Sequence, residues 1–137
     1  MGRIPWSVPE VGDKELNEIK QSFSADWLTM GPKVSEFESL MAGYLNVEHA
    51  IAVSNGTDAI DLALMAKDIR YGDEVIVPAM TYFSTGACVN RVGATPVYTD
   101  ICSKTWNLNP KLIEDAITEK TKGIIFIDYG GNPADID

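Results

Sequence analysis

The sequence predicts an α/β protein built on a mostly parallel β-sheet with helices on both faces. Short apolar runs such as Glu74–Pro78 and Gly123–Ile127 alternate with segments whose apolar residues recur at helical spacing. The runs are apolar throughout, a pattern typical of strands that are covered on both faces. A length of 137 residues fits one modest domain.

The first third of the chain is predicted to be helical. Apolar residues three or four positions apart indicate a helix over about 13–24, and residues 26–32 are predicted to form a loop. Pro32 suits the first turn of a second helix, where its missing N–H costs nothing. The apolar stripe of this second helix comprises Val34, Phe37, Leu40, Met41 and Tyr44.

Strands and helices alternate in the remainder. Buried strands are predicted at His49–Val53, Glu74–Pro78, Pro96–Tyr98 and Gly123–Ile127. Helices are predicted after the first three of them, ending near Lys67, Val92 and Ile117. Asn109 and Pro110 resemble the N-cap and first residue of the last helix.

Charge and residue usage exclude several classes of function. A formal net charge of −9 disfavours a surface for nucleic acid or anionic membranes. No apolar run approaches the roughly 18–20 residues that span a bilayer. Cys88, Cys102 and the single His49 have no metal-ligand spacing, so we expect no metal site. Free cysteines and the absence of an apolar signal core favour a cytoplasmic protein.

A candidate phosphate site follows the first predicted strand. In Ser54-Asn55-Gly56-Thr57, Gly56 would let a ligand approach the backbone, and Thr57 could add a hydroxyl donor. Free N–H groups and the positive end of the helix dipole suit a phosphate. The alternative is an ordinary N-cap turn. Neither GxxxxGK[ST] nor GxGxxG occurs, which disfavours both nucleotide folds.

Two further strand ends could meet a ligand. Tyr82, just after the second strand, could stack on a planar cofactor with neighbouring hydroxyls as partners, or Tyr82 and Phe83 could pack into the core. Asp128, just after the fourth, could meet a ligand or be a solvated loop residue. The glycines that follow Asp128 indicate a turn with unusual backbone angles.

Taken together, these segments resemble the DegT/DnrJ/EryC1/StrS family of sugar aminotransferases, which bind pyridoxal phosphate (PLP) in the aspartate-aminotransferase fold. The resemblance covers essentially the whole chain, although many members have His where this chain has Asp128. Six motifs in the expected order carry it: Trp27–Pro32, Val53–Ala59, Gly72–Pro78, Thr81–Thr85, Val92–Val97 and Gly131–Asp137.

The resemblance implies roles for particular residues. Gly56 and Thr57 would hold the cofactor phosphate, and Tyr82 would stack on the pyridine ring. Thr29 and Gly31 would lie near the substrate at a dimer interface. The division of the chain would be an N-terminal arm and first helix at 1–32, followed by a partial PLP-binding large domain at 33–137.

The resemblance also implies what these residues lack. The Schiff-base lysine and the acidic partner of the pyridinium nitrogen belong to family segments beyond position 137, as does the small domain. We therefore expect no catalytic residue within 1–137, an incomplete large domain, and no activity from this part alone.

The implied function of the whole protein is amino transfer, with glutamate as donor, to a nucleotide-linked keto-sugar by a homodimer. One alternative is a sugar 3-dehydratase of the same family, in which histidine replaces the lysine. Another is a non-catalytic phosphate-ligand or assembly module.

Overall fold

The computed structural model describes residues 5, 7–25, 27 and 29–136. The chain divides into two compact units, Met1–Ala52 and Val53–Asp137. The division predicted from the resemblance, at 32/33, stays a prediction. The predicted loop at 26–32 includes positions 26 and 28, which lie outside the described residues.

The first unit contains the two helices that the sequence predicts, α1 (Asp13–Ser24) and α2 (Pro32–Leu45). Pro32 occupies the first turn of α2, and Asn46 ends that helix in the left-handed conformation with φ 53°. The Lys33 ammonium lies 2.5 Å from the Glu18 carboxylate and 3.0 Å from that of Glu36. These ion pairs are exposed, and each contributes little to stability.

The predicted strand His49–Val53 is wrong. These residues form no ladder with any strand in the described part of the chain. A strand needs a neighbour for its backbone groups, and the Ala52 N–H donates instead to Glu38 Oε1 at 2.9 Å. Ile51 is 78% exposed, so the apolar run is not buried.

The second unit contains a parallel sheet in the order β2–β1–β3, formed by β1 (Glu74–Pro78), β2 (Thr95–Thr99) and β3 (Thr121–Ile124). β1 matches its predicted bounds, and β2 extends the prediction by a residue at each end. β3 begins two residues before the predicted run, because Thr121 pairs with Glu74, and ends at Ile124, three residues before the predicted end. After Ile124, one more hydrogen bond joins this segment to β1: the Ile125 N–H donates to the Ile76 carbonyl at 2.9 Å.

Helices cover both faces of this sheet, as predicted. α3 (Gly56–Ala66) and α4 (Ser84–Arg91) lie on one face, where Leu64 and Val89 join Val75 and Val77 in the core. α5 (Pro110–Ala116) lies on the opposite face, where its Ile113 borders a depression shared with Ile124 and Phe126 of the β3 segment. A short 3₁₀ turn follows at Tyr129–Gly131.

α4 approaches β2 closely because Gly86 has no side chain. A Cβ at position 86 would lie 2.1 Å from the Tyr98 hydroxyl oxygen. That separation is far below van der Waals contact, so any larger residue at position 86 would force the Tyr98 side chain, which is 57% exposed, to move.

None of the helices in the described residues is long and apolar enough to cross a bilayer.

Candidate functional site

The N-terminus of α3 and the carboxyl ends of β1 and β3 surround one open cleft, where the topology of a parallel sheet favours ligand binding. Its volume is about 610 Å³. The residues that line it are Asn55, Gly56, Thr57, Ile60, Thr81, Tyr82, Ser84, Thr85, Ile127, Asp128, Tyr129 and Gly130. The structure therefore brings together Gly56, Thr57, Tyr82 and Asp128, four residues that the sequence singles out separately.

The start of α3 is capped by its own neighbours. Asn55 is the N-cap, and its Oδ1 accepts the Asp58 N–H at 3.0 Å. The Asp58 carboxylate in turn accepts hydrogen bonds from the Ser54 hydroxyl at 2.5 Å and from Asn55 Nδ2 at 3.1 Å. These bonds hold the turn rigid and partly offset the negative charge that Asp58 places beside the cleft.

The capping leaves the Gly56 and Thr57 amides available to a ligand. Neither N–H has a hydrogen-bond partner among the described residues. A Cβ built on Gly56 would meet nothing within 4 Å, so the space above this backbone is open. Two free donors at the positive end of a helix, with the Thr57 hydroxyl beside them, fit a phosphate group. The N-cap turn and the phosphate cradle are thus compatible.

Tyr82 and Phe83 are not core residues. They are 75% and 79% exposed, and their rings meet edge-on with centroids 6.4 Å apart. Only Tyr82 of this pair belongs to the lining of the cleft. An exposed phenol ring beside free phosphate donors can stack on a planar ligand.

Residues with hydroxyl groups flank Tyr82 in the lining of the cleft. Thr81 Oγ1 and Thr85 Oγ1 are 2.8 Å apart and share a hydrogen bond, and Thr85 is almost completely buried. Ser84 begins α4 and is also buried. The sequence indicates these hydroxyls through their position after β1, without indicating which of them reach the cleft.

Asp128 forms part of the opposite wall and shapes its own turn. Its Oδ1 accepts the Ala134 N–H at 2.9 Å, and its carbonyl accepts the Gly131 N–H at 3.0 Å. The turn between these bonds requires Gly130 and Gly131 at φ of 62° and 81°. The carboxylate therefore organises the loop in addition to lining the cleft.

Cys88 lies beneath the cradle. Its thiol donates to the Thr57 carbonyl at 3.5 Å. Burial, and then the neighbouring Asp61 carboxylate, raise the pKa of the Cys88 thiol to about 11. A raised pKa disfavours the reactive thiolate, so the structure gives Cys88 a packing role beneath the start of α3.

Two predicted substrate residues belong to the other unit. Thr29 and Gly31 lie just before α2, on either side of Met30, which has φ 44°. Their proximity to a substrate stays a prediction. Among the residues that the structure describes, no group of three His, Cys, Asp or Glu side chains could hold a metal ion.

The fold and the cleft define a class: a parallel α/β unit with two free backbone amides at one helix start and an exposed aromatic ring in the same cleft. The chain belongs to the DegT/DnrJ/EryC1/StrS aminotransferase family, whose model matches residues 9–137.

Named relatives are similar over almost the whole chain. The spore coat polysaccharide biosynthesis protein SpsC of Bacillus subtilis (strain 168) is 40% identical over 134 residues, which are 98% of this chain and 34% of SpsC. The chain thus spans about a third of the length of the curated relative.

Solved structures share the fold. Spr1654 of Streptococcus pneumoniae, provisionally named a sugar aminotransferase and solved in apo, PMP and PLP forms, is 39% identical with a TM-score of 0.92, over 96% of this chain and 33–34% of Spr1654. NtdA of Bacillus subtilis, with bound PMP, is 34% identical with a TM-score of 0.82, over 97% of this chain and 33% of NtdA. The predicted fold class, an α/β unit with a parallel sheet in the fold of the PLP-dependent transferases, is confirmed.

Proposed function

We propose that the whole protein is a PLP-dependent aminotransferase that moves an amino group, with glutamate as donor, onto a nucleotide-linked keto-sugar. The family and the PLP and PMP forms of its relatives support the cofactor. The similarity to a polysaccharide biosynthesis protein supports a sugar substrate. The observation that carries the proposal is that Gly56, Thr57 and Tyr82 line one cleft.

The phosphate of the cofactor would be held at the start of α3. The Gly56 and Thr57 N–H groups are free to donate, and the Thr57 hydroxyl adds a third donor. No cationic side chain is among the residues that line the cleft in the described part of the chain. The amide donors and the helix dipole would therefore compensate the negative charge of the phosphate.

The pyridine ring would stack on Tyr82. The ring of Tyr82 is exposed in the cleft, and the Thr81, Ser84 and Thr85 hydroxyls lie along the same edge. A bound pyridine ring supplies an electron sink for the bond changes of amino transfer. The part played by these residues is to orient the ring and to exclude water from one of its faces.

The reactive lysine and the acidic partner of the ring nitrogen would come from parts of the protein outside residues 1–137. No lysine lines the cleft within the described residues. Thr29 and Gly31 would contact the sugar substrate close to the interface of a cytoplasmic homodimer. This part of the chain binds and orients the cofactor, and the remainder supplies the proton-transferring group.

A matched pair of aromatic variants tests the proposal in the whole protein. Tyr82→Ala should raise the dissociation constant for PLP about 2- to 12-fold, since a stacked ring contributes about 0.5–1.5 kcal/mol beyond buried area. Phe83→Ala is the control, because Phe83 is equally exposed but is not part of the lining. Equal losses in both variants, or no PLP binding by the wild type, would contradict the proposal.

A single-turnover assay separates the enzyme from a non-catalytic binding module. The PLP-loaded whole protein, mixed with glutamate and no sugar, should release one equivalent of 2-oxoglutarate per bound cofactor. Binding of PLP without any release of 2-oxoglutarate would favour the binding module or a different amino donor, and a panel of amino acids distinguishes these two outcomes.

A further inference from the structure

Asn107 lies outside the cleft but in contact with its wall. It belongs to the segment between β2 and α5, which is closed by an antiparallel bridge between Ile101 and Leu108. The Cys102 N–H donates to the Asn107 carbonyl at 2.9 Å, so the backbone of Asn107 is held in place. Its side chain is polar and yet the residue is only 4% exposed.

The Asn107 side-chain amide binds the turn after β3 with both of its ends. Its Oδ1 accepts the Tyr129 N–H at 2.9 Å, and its Nδ2 donates to the Asn132 carbonyl at 2.9 Å. A buried amide whose donor and acceptor are both used on one turn acts as a clamp on that turn.

Two further contacts join the same segments. Asn132 Nδ2 donates to the Thr105 carbonyl at 3.3 Å, and the rings of Trp106 and Tyr129 are 5.7 Å apart. Trp106 adopts φ 66°, a conformation that is unfavourable for a bulky residue and that these contacts hold.

The clamped turn is a wall of the cleft. Asp128, Tyr129 and Gly130 all line it. Gly130 and Gly131 have left-handed backbone angles and no side chains with which to pack, so the turn depends on its neighbours for its position. Asn107 spans 22 and 25 residues of sequence to reach its two partners, and it is the side chain that binds both ends of the turn.

We propose that Asn107 is a positioning residue for the cofactor site: it holds the Asp128–Asn132 turn against the cleft, and its loss weakens binding of the cofactor. The inference rests on the proposed function. It is a role exerted through the turn, since Asn107 itself is not part of the lining of the cleft.

The test compares three variants of the whole protein without cofactor. Asn107→Leu removes both hydrogen bonds, whereas Asn107→Asp keeps the acceptor for the Tyr129 N–H and loses the donor to Asn132. Asn109→Ala is the control: Asn109 caps α5 by accepting the Lys111 N–H at 3.2 Å, so its loss lowers stability without touching the turn. The readouts are amide hydrogen exchange over residues 128–134 and the dissociation constant for PLP.

Asn107→Leu should speed exchange of the Tyr129 amide and raise the dissociation constant for PLP about tenfold. A tenfold change corresponds to the free energy of about one hydrogen bond. Asn107→Asp should keep the Tyr129 amide protected and give a constant between those of the wild type and Asn107→Leu. Asn109→Ala should leave both readouts unchanged.

Unchanged exchange in Asn107→Leu would overturn the clamp, and faster exchange with an unchanged PLP constant would overturn the positioning role. An equal loss of PLP affinity in Asn109→Ala would assign the effect to general destabilisation and overturn the proposal. If the wild type fails to bind PLP, the proposed function fails, and the exchange readout still decides whether Asn107 holds the turn.

Discussion

At Gly56 a single hydrogen atom occupies the place where other residues have a side chain. Its φ is not positive and a Cβ would meet no protein atom, so neither the backbone nor the packing requires glycine at this position. The Gly56 N–H has no partner among the described residues, and Gly56 lines the same cleft as Thr57 and Tyr82. The space that glycine leaves is therefore available to a ligand.

Gly56→Ala should separate stability from binding. We expect the free energy of unfolding to stay constant or rise by up to about 1 kcal/mol, because alanine is favoured over glycine in helices. The added methyl group should obstruct the phosphate and raise the PLP dissociation constant at least about tenfold. Chemical denaturation and PLP titration of the whole protein measure the two effects.

Gly43→Ala is the matched control for this variant. Gly43 lies in α2, and a Cβ there would also meet nothing within 4 Å. It should gain stability in the same way and leave PLP binding unchanged. If Gly56→Ala binds PLP as Gly43→Ala does, the phosphate does not lie over Gly56.

The two cysteines should differ in reactivity with pH. Backbone N–H groups of Lys104 and Thr105 lower the pKa of the Cys102 thiol below its ordinary value, whereas burial raises that of Cys88 to about 11. Because the thiolate is the reactive form, alkylation of Cys102 should reach half of its maximal rate at a lower pH than a free thiol does. Alkylation of Cys88 should be slower at every pH and still be rising near pH 11.

Iodoacetamide labelling followed by peptide mass spectrometry, over a series of pH values, measures both rates in the folded protein. Cys102→Ser should remove the fast phase and leave Cys88 slow. Faster labelling of Cys88 than of Cys102 at neutral pH would contradict the predicted order of reactivity.

Local sequence indicates the ligand-facing residues but not the side chains that support them. Gly56 and Thr57 come shortly after an apolar run and Tyr82 shortly after β1, so the sequence indicates them as candidates by position. Asn107 contacts residues 22 and 25 positions away, and no periodicity predicts a pairing of that separation. The side-chain clamp becomes visible only once the fold is known.

At the scale of elements, an ion pair joins α3 and α4, the two helices on one face of the sheet. Arg91 Nη2 lies 2.6 Å from Asp61 Oδ2, and the Asp61 side chain is 9% exposed. The second oxygen, Oδ1, is buried and has no hydrogen-bond partner in the described structure. The buried negative charge of Asp61 is therefore compensated mainly by Arg91.

Arg91→Met should destabilise the protein by about 1–2 kcal/mol. Removal of one partner of a fully buried pair costs about 3–5 kcal/mol, and the smaller figure reflects the 56% exposure of the Arg91 side chain. Urea denaturation followed by circular dichroism measures the change.

Arg70→Met provides the comparison for this variant, since Arg70 and Asp68 form an exposed pair at 3.5 Å. It should have almost no effect on the denaturation midpoint. Equal destabilisation by both substitutions would show that the burial of Asp61 is not the cause.

Helices and strands could be predicted from the sequence where the local pattern of residues determines them. The five α-helices in the part of the chain that the structure describes follow from apolar spacing and from cap residues such as Asn109, and β1 matches its predicted bounds. The run 49–53 has the composition of a strand, but pairing decides whether a strand forms, and pairing is not local. The start of β3 at Thr121 is likewise set by its register with Glu74.

At the scale of the whole molecule, the chemistry is expected to be divided along the polypeptide. The described part of the cleft offers donors for a phosphate and a ring for stacking, and its lining includes no lysine. A chain that matches a third of its curated relative is consistent with this division.

Borohydride reduction of the PLP-loaded whole protein tests this division. Reduction should attach the cofactor permanently to one lysine, and peptide mapping should place that lysine outside residues 1–137. All of the lysines within 1–137 should remain unmodified at stoichiometric loading. A stoichiometric adduct on one of them would contradict the proposed division of roles.

The close approach of α4 to β2 at Gly86 bears on protein engineering. Replacing helical glycines with alanine is a common route to thermostability, and the same substitution should have three outcomes in this chain. At Gly43 it offers stability alone, and at Gly56 it exchanges function for stability. At Gly86 it would displace the Tyr98 side chain, whose hydroxyl oxygen would lie 2.1 Å from the new Cβ. A stabilising library should therefore judge each helical glycine by what surrounds it.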